Sequence, residues 1–402
     1  MVIVEEFEGL LGDEGQGLLE GLRGHDPADD LAVATRLRRS HDARLVAAAL
    51  AQARLRQRAV AKFGAVDAHR MYFTPHGLEQ STRASVAAHR AARFAADAGA
   101  PGGRVGVTDL CCGVGGDAIA MLRAGLPVTA VDRDPLTCAV VRANAAALGL
   151  ADGLEVVCAD VLDVGTAGRA GVFVDPARRT ARGRVFDPEA YSPPLSWALE
   201  AAASGSPGAV KVAPGIPHEA VPQSAEAEWI SDGGDVKEAV LWFGGGVHPG
   251  ARRATLLPSG ASLVGRGLPD PQVRPVGRYL YEPDGAVIRA HLVAEVAEEL
   301  DGGLVDPTIA YVTADALRAT PYATAYEVTD VLPFGLKRLK ALVREREIGV
   351  LTVKKRGSAV DPEDLRRRVR PQGPHSATVF LTRISGAPSM LLAHPAQGRA
   401  QT

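Results

Sequence analysis

The run VTDLCCGVGGDAIAM, from Val107 to Met121, packs two aspartates, two adjacent cysteines and three glycines into a few turns' worth of chain. Gly113, Gly115 and Ala118 satisfy the spacing G-x-G-x-x-A. Between a strand and a helix start, that spacing leaves backbone N–H groups free to hold an anion or a nucleotide. It also makes a plain tight turn, and alone it does not choose. More acids follow at regular stations. Asp109 stands four residues before Gly113, and Asp132 nineteen after it. Asp160 follows in CADV, and Asp175-Pro176 in VFVDP. Each ends a short apolar run that reads as a strand. A carboxylate at the Asp132 station can hold ribose hydroxyls. A dehydrogenase explains the glycine turn and Asp132, but it does not ask for acids at all four stations.

The elements that must place these residues alternate from Val105 onward. RVGVTDL, LPVTAVDRD, LEVVCAD, AGVFVDP and GAVKVAP read as strands. GDAIAMLRAG and PLTCAVVRANAAALGL read as helices, the second with proline in its first turn. Such alternation predicts a parallel sheet with crossover helices and acids at its carboxyl edge. VKEAVLWFGG and RRATLLPSG have no helix between them and read as an antiparallel hairpin at the sheet edge. Upstream, residues 1–94 read as a helical domain with a loosely packed acidic start over residues 1–30. A sheet domain spans 95–268. A linker strand and a helix from about Ala286 fill 269–326. The tail, 327–402, reads strand, helix, strand, helix, strand, strand, a basic α+β domain of split-βαβ character.

Charge is local rather than global. The net formal charge is −2. Residues 36–70 nevertheless hold nine bases against two acids, and residues 327–402 hold 14 against seven. Two basic segments flanking an acidic middle fit a nucleic-acid grip made of separated pieces, or solvated helix faces. VKKRG at 353–357 fits either an RNA contact or a protected edge strand. Lys211 reads as a residue facing the site or a solvated one. The four cysteines, Cys111, Cys112, Cys138 and Cys158, lack C-x-x-C spacing, and the histidines lack ligand spacing. The expectation is a reduced, cytoplasmic protein with no metal, no disulfide framework and no membrane span. Cys111 and Cys112 read as small buried hydrophobes.

The stretches FTPHGLEQSTRASVAAHRAARF, DLCCGVGGDAIAM, VTAVDRDPLTCAVVRANAAALGL, VVCADV and VFVDPARR, together with RYLYEPDGAVIRAHLV, resemble a known family. They are similar to the class I S-adenosylmethionine-dependent RNA cap guanine-N2 methyltransferases (trimethylguanosine synthase-like), in the bacterial branch with a C-terminal THUMP-like domain. The resemblance implies a Rossmann-like α/β sheet between an N-terminal helical domain and a small ferredoxin-like α+β domain. S-adenosylmethionine is the implied cofactor and RNA, tRNA or rRNA, the implied partner. Asp109, Gly113 and Gly115 would then line the methionine and ribose side, Asp132 would hold the ribose and Asp160 the adenine amine. Phe73 and Thr74 would close over the cofactor. Asp175 and Pro176 would face the methyl group as the catalytic motif. For the aspartates, helix capping is the competing role. Where the family has Pro-Pro-Trp, with Trp stacking on guanine, this chain reads Asp175-Pro176-Ala177-Arg178-Arg179. Base or phosphate contact then falls to Arg178 and Arg179, and the stacking platform to Phe186, Tyr191 and Trp197, with loop packing as the alternative for these aromatics. No cysteine follows Cys158, which disfavours methylation of a pyrimidine carbon through a thiol nucleophile. Direct methylation of a base nitrogen remains, against a non-catalytic RNA-binding protein that keeps the cofactor fold.

Overall fold

The computed structural model describes residues 4–98, 106–166, 170–177, 179–180, 183–184 and 187–396. The chain divides into two compact units. The first comprises Met1–Glu226 and Glu238–Gly250, the second Ala227–Lys237 and Ala251–Thr402.

The first unit opens with six helices: α1 (Val4–Gly9), α2 (Asp13–Gly21), α3 (Asp30–Leu37), α4 (Ala43–Ala68), α5 (Pro75–Gln80) and α6 (Ala84–Ala98). The acidic start is not loosely packed. Phe7, Leu10, Leu18, Leu19 and Leu22 are buried in one cluster with Val46 and Leu50 of α4. Phe7 meets Tyr72 edge to face at 5.5 Å. Apolar residues recurring every three to four positions outweigh the exposed acids between them. Asp42 caps α4 by accepting from the backbone N–H of Arg44 and Leu45, at 2.9 and 3.1 Å. These bonds favour the ionised form and hold its carboxyl below the usual range.

A mostly parallel sheet follows. Its strands are β1 (Val107–Leu110), β2 (Val128–Asp132), β3 (Leu154–Cys158), β4 (Gly171–Val174), β7 (Gly208–Val212) and β9 (Asp235–Phe243). A two-residue ribbon, β5 (Arg179–Thr180) with β6 (Gly183–Arg184), lies between β4 and β7 in sequence, and β8 (Glu226–Asp232) precedes β9. Helices α7 (Gly116–Arg123), α8 (Pro135–Leu148) and α9 (Leu195–Ala203) make the crossovers. In this unit the strands run β9-β7-β4-β1-β2-β3, parallel except for β9 against β7. Every residue of β1, β4 and β7 is buried, as in strands covered on both faces. Strand order reverses at β1, which lies between β2 and β4, and open α/β sheets bind ligands beyond the carboxyl ends at such a switch.

In the second unit β8 runs parallel to β10 (Arg252–Leu257), and β10 antiparallel to β11 (Ala261–Val264). The expected hairpin of VKEAVLWFGG with RRATLLPSG therefore does not form. The Gly233-Gly234 pair, both at positive φ, joins β8 to β9 and redirects the chain before β10. A seven-stranded sheet runs β13-β14-β12-β15-β18-β17-β16. Three of its strands, β12 (Tyr279–Pro283), β13 (Gly303–Asp306) and β14 (Ile309–Ala314), come from the segment expected as linker strand and helix. That helix is broken into α10 (Gly285–Arg289) and α11 (Val293–Glu299), with His291 at φ 58° between them. The tail follows the expected order: β15 (Ala323–Pro333), α12 (Leu336–Glu345), β16 (Ile348–Lys355), α13 (Pro362–Val369), β17 (His375–Ile384) and β18 (Ala387–Pro395). Leu339, Leu342 and Val343 of α12 and Leu365 and Val369 of α13 bury one face of each helix on this sheet. Lys337, Arg338, Lys340, Arg344, Arg366, Arg367, Arg368 and Arg370 stay exposed. In the VKKRG run, Lys354 and Arg356 both reach Glu282, and Arg356 lies over Tyr311 at 5.2 Å.

Candidate active site

β1 leads into a turn in which Cys111, Gly113 and Gly115 have φ of 64°, 55° and 83°. A side chain at Gly115 would meet Val141 Cγ1 of α8 at 3.2 Å, in a backbone conformation that already favours glycine. The turn is held from the next strand. Asp132 Oδ2 accepts from Gly113 N at 3.2 Å, and its Oδ1 accepts from Asp134 N at 3.0 Å. Asp134 then caps α8 through Thr137 N at 3.0 Å.

Beyond the carboxyl ends of β1, β2, β4 and β7 lies a cavity of about 660 Å³, within the usual range for a small-ligand site. Thr74, Gly113, Asp132, Asp160, Asp175, Pro176 and Tyr191 form part of its wall. Phe73 does not close over it. Its side chain is 1% exposed and packs on Phe63 at 5.4 Å, inside the helical core. Asp109 and Gly115 lie behind the wall, both buried. Arg178 and Phe186 fall outside the described residues, and for Arg179 the structure gives only its place in the β5–β6 ribbon. Trp197 sits on α9, half-buried and away from the wall. Three of the site residues do cap turns: Thr74 accepts from Gly77 N, Asp160 from Leu162 N, and Asp132 from the two N–H groups above.

The wall is acidic. Asp109 is fully buried, and neither carboxylate oxygen has a hydrogen-bond partner among the described residues. Burial, and then the charge of Asp175, push its carboxyl up to about 7, although Arg90 and Lys211 pull the other way. Burial also raises Asp132, against the N–H bonds of Asp134 and Gly113. Cys111 lines the cavity half-exposed rather than buried, and Cys112 is buried. Burial first, then nearby aspartates, raise both thiols, so neither is an available thiolate. Among the described residues no three His, Cys, Asp or Glu side chains gather as a metal would need, and no helix is long and apolar enough to cross a membrane.

Of the two readings open for Lys211, the structure takes the one that faces the site, and the partners around it carried no local signal of chemistry. Lys211, at the end of β7, is 3% exposed, and its ammonium donates to Asp175 Oδ2 at 2.5 Å and to Thr82 Oγ1 at 2.9 Å. Thr82 donates to Asp117 Oδ2 at 2.9 Å. Arg90, fully buried on α6, bridges Asp117 Oδ1 and Glu238 Oε1 and stacks over Phe173 at 4.5 Å. A charged residue on the Val86–Ala87–Ala91–Phe94 face of α6 was the available clue. A second group fixes the strand-like MYFT segment before Thr74. Asn144 of α8 bonds Tyr72 N at 2.6 Å, Tyr72 O at 3.0 Å and Val114 O at 2.9 Å. Gln52 bonds both Phe73 N and Phe73 O, at 3.1 and 2.6 Å. Gly77 then lets α5 approach the glycine turn, where a methyl group would lie 2.4 Å from Val114 Cγ1.

A strand-end carboxylate row around a glycine turn at the sheet's switch point sets the terms for comparison with known proteins. A Mycobacterium tuberculosis protein described as an uncharacterized S-adenosylmethionine-dependent methyltransferase, in strains CDC 1551 and H37Rv, is 38% identical over 344 residues, covering 84% of this chain and 92% of that one. The chain belongs to the S-adenosylmethionine-dependent methyltransferases. Residues 105–194 match the family described as RNA cap guanine-N2 methyltransferase, residues 323–395 one described as THUMP domain-like, and residues 4–59 a domain of unknown function. The crystal structure of a Porphyromonas gingivalis W83 protein assigned as a methyltransferase superposes with a TM-score of 0.72 at 21% identity, over 92% of this chain and 99% of that one, and bears out the fold. S-adenosylmethionine is thus the methyl donor of this methyltransferase. The residues present suit it. The cofactor carries a sulfonium and an ammonium, and Asp132, Asp160 and Asp175 face the cavity while the unpartnered Asp109 carboxyl lies just behind.

Proposed function

We propose that this methyltransferase methylates a nitrogen of an RNA base, in tRNA or rRNA. The observation that carries the reading is Asp175. It follows β4 directly, borders the cavity, and has one oxygen held by Lys211 while Oδ1 has no partner among the described residues. A base amine entering the cavity would donate a hydrogen bond to that oxygen, which orients its lone pair. When bound, S-adenosylmethionine supplies an electrophilic methyl group on sulfur. Gly113 and Asp132 would shape the ribose side, Asp160 the adenine side, Asp109 the charge near the methionine ammonium, and Thr74 the mouth. Pro176 fixes the backbone beside Asp175. Tyr191, 4% exposed at the cavity wall, takes the place of the missing aromatic after Asp-Pro, and by their chemistry Arg178 and Arg179 would contact base or phosphate. The raised thiols support nitrogen rather than carbon as the target. The RNA target is supported by the family descriptions matched at 105–194 and 323–395 and by the exposed basic residues of α12 and α13.

The missing aromatic after Asp175-Pro176 favours a second reading, an RNA-binding protein that holds the cofactor without turnover. Incubation with tritiated S-adenosylmethionine and RNA from cells lacking the gene separates the two. Label that enters RNA and stays with a base after digestion supports methylation. Cofactor binding with no label in RNA supports the second reading.

A further inference from the structure

The buried charge network behind the cavity has a direction that hydrogen-bond chemistry fixes. Thr82 owns one hydroxyl hydrogen and gives it to Asp117, so toward Lys211 it is an acceptor. Both Asp117 oxygens are then engaged, one by Thr82 and one by Arg90, and Arg90 is tied in turn to Glu238. The series ends at Asp175, a residue of the cavity wall, where Lys211 takes Oδ2 and Oδ1 has no partner among the described residues. Six separate parts of the chain converge: the loop before α6, α6 itself, α7, the end of β4, β7 and β9.

We propose that Lys211 is a positioning residue that, anchored by Thr82, holds the Asp175 carboxylate in the one orientation that presents Oδ1 to the target amine. Burying an ammonium and its partners is weak as a source of stability, since desolvation offsets most of the attraction. What the pair does supply is geometry. A carboxylate on a single Cβ–Cγ axis can spin unless one oxygen is held. At 24% side-chain exposure, Asp175 is open enough for water to compete for it. With Oδ2 pinned, the amine nitrogen is aligned as its bond to the methyl carbon forms and the sulfur–methyl bond breaks. The nitrogen's surplus proton leaves to water through the cavity mouth.

This rests on the nitrogen-methylation reading above. The test uses full-length protein, tritiated S-adenosylmethionine and RNA from cells lacking the gene. Lys211→Met is expected to lower kcat at least tenfold, while S-adenosylhomocysteine affinity by calorimetry stays within threefold. In an Asp175→Asn background the same change is expected to cost less than threefold, because the residue acts through Asp175. Lys211→Arg should restore part of the rate. Should Lys211→Met fail to fold, Thr82→Val keeps the lysine and removes its anchor, with a several-fold loss of kcat expected. Wild-type kcat in the substituted protein overturns the inference, as does an equal loss in both backgrounds. If the wild-type protein labels no RNA at all, the nitrogen-methylation reading falls and this inference with it.

Discussion

Asp109→Asn should change how stability depends on pH, and the size follows from the site. The Asp109 carboxyl sits at about 7 in the folded protein against 3.8 for an ordinary aspartate, raised mainly by burial and next by Asp175. Because the folded value is raised, the folded state holds its proton more tightly than the unfolded one. The associated stability is complete below about pH 4, declines as pH rises, and is gone above about pH 7. Some three units at about 1.4 kcal/mol each give a difference on the order of 4 kcal/mol between the two ends. Asparagine keeps the shape and removes the titration. Urea unfolding of both proteins without cofactor, from pH 5 to 8, checks this. Relative to the variant, wild-type protein should lose stability steadily with rising pH and level off above 7. Parallel pH dependence in the two proteins would refute the argument that a buried, unpartnered carboxyl lies behind the glycine turn. Neutralising Asp175 as well, as Asn, should shrink the difference, since its charge is the second cause of the shift.

Other outcomes follow from the same site. Asp132→Ala removes the acceptor for Gly113 N and Asp134 N and the proposed ribose ligand, so S-adenosylhomocysteine affinity by calorimetry should fall roughly 10–150-fold, the worth of a charge-assisted bond of about 1.5–3 kcal/mol. Gly77→Ala drives a methyl group to 2.4 Å from Val114, so a thermal melt should show a destabilised first unit, by about 1–3 kcal/mol, with weakened cofactor binding. Replacing Lys337, Arg338 and Lys340 on α12 with alanine should weaken RNA binding and flatten its salt dependence by about 0.7–0.9 for each phosphate left without its cation, measured by filter binding across a salt series.

The strand–turn–helix at Val107–Met121 was legible because everything that makes it is local: apolar strand, glycines where φ must be positive, helix start. The strand-end acids were legible for the same reason, since a parallel sheet turns equal spacing into a row along one edge. The tail's six elements could be read because amphipathic helices such as LKRLKALVRE stand out between β-branched runs. What failed was pairing and burial. RRATLLPSG is strand-like, but nothing within it says that its neighbour is β8 rather than β9. Phe73 shares the family's pattern, yet its side chain turns into the helical core because Gln52 and Asn144, reaching across many residues, fix the backbone on either side. The Lys211 network joins residues 129 apart in the case of Thr82, and although Lys211 could be read as facing the site, nothing local pairs it with Thr82, Asp117 or Arg90. Only a buried site makes such residues answer one another's hydrogen-bonding needs.

The central claim is tested most directly by quantitative mass spectrometry of nucleosides from the tRNA and rRNA of cells with and without the gene. Nitrogen methylation through Asp175 predicts that one nitrogen-methylated nucleoside disappears on deletion, returns with the wild-type gene, and does not return with Asp175→Ala, whose S-adenosylhomocysteine affinity stays within a few-fold of normal. Identical nucleoside profiles in the two strains, or loss of a carbon- or ribose-methylated nucleoside instead, would contradict it.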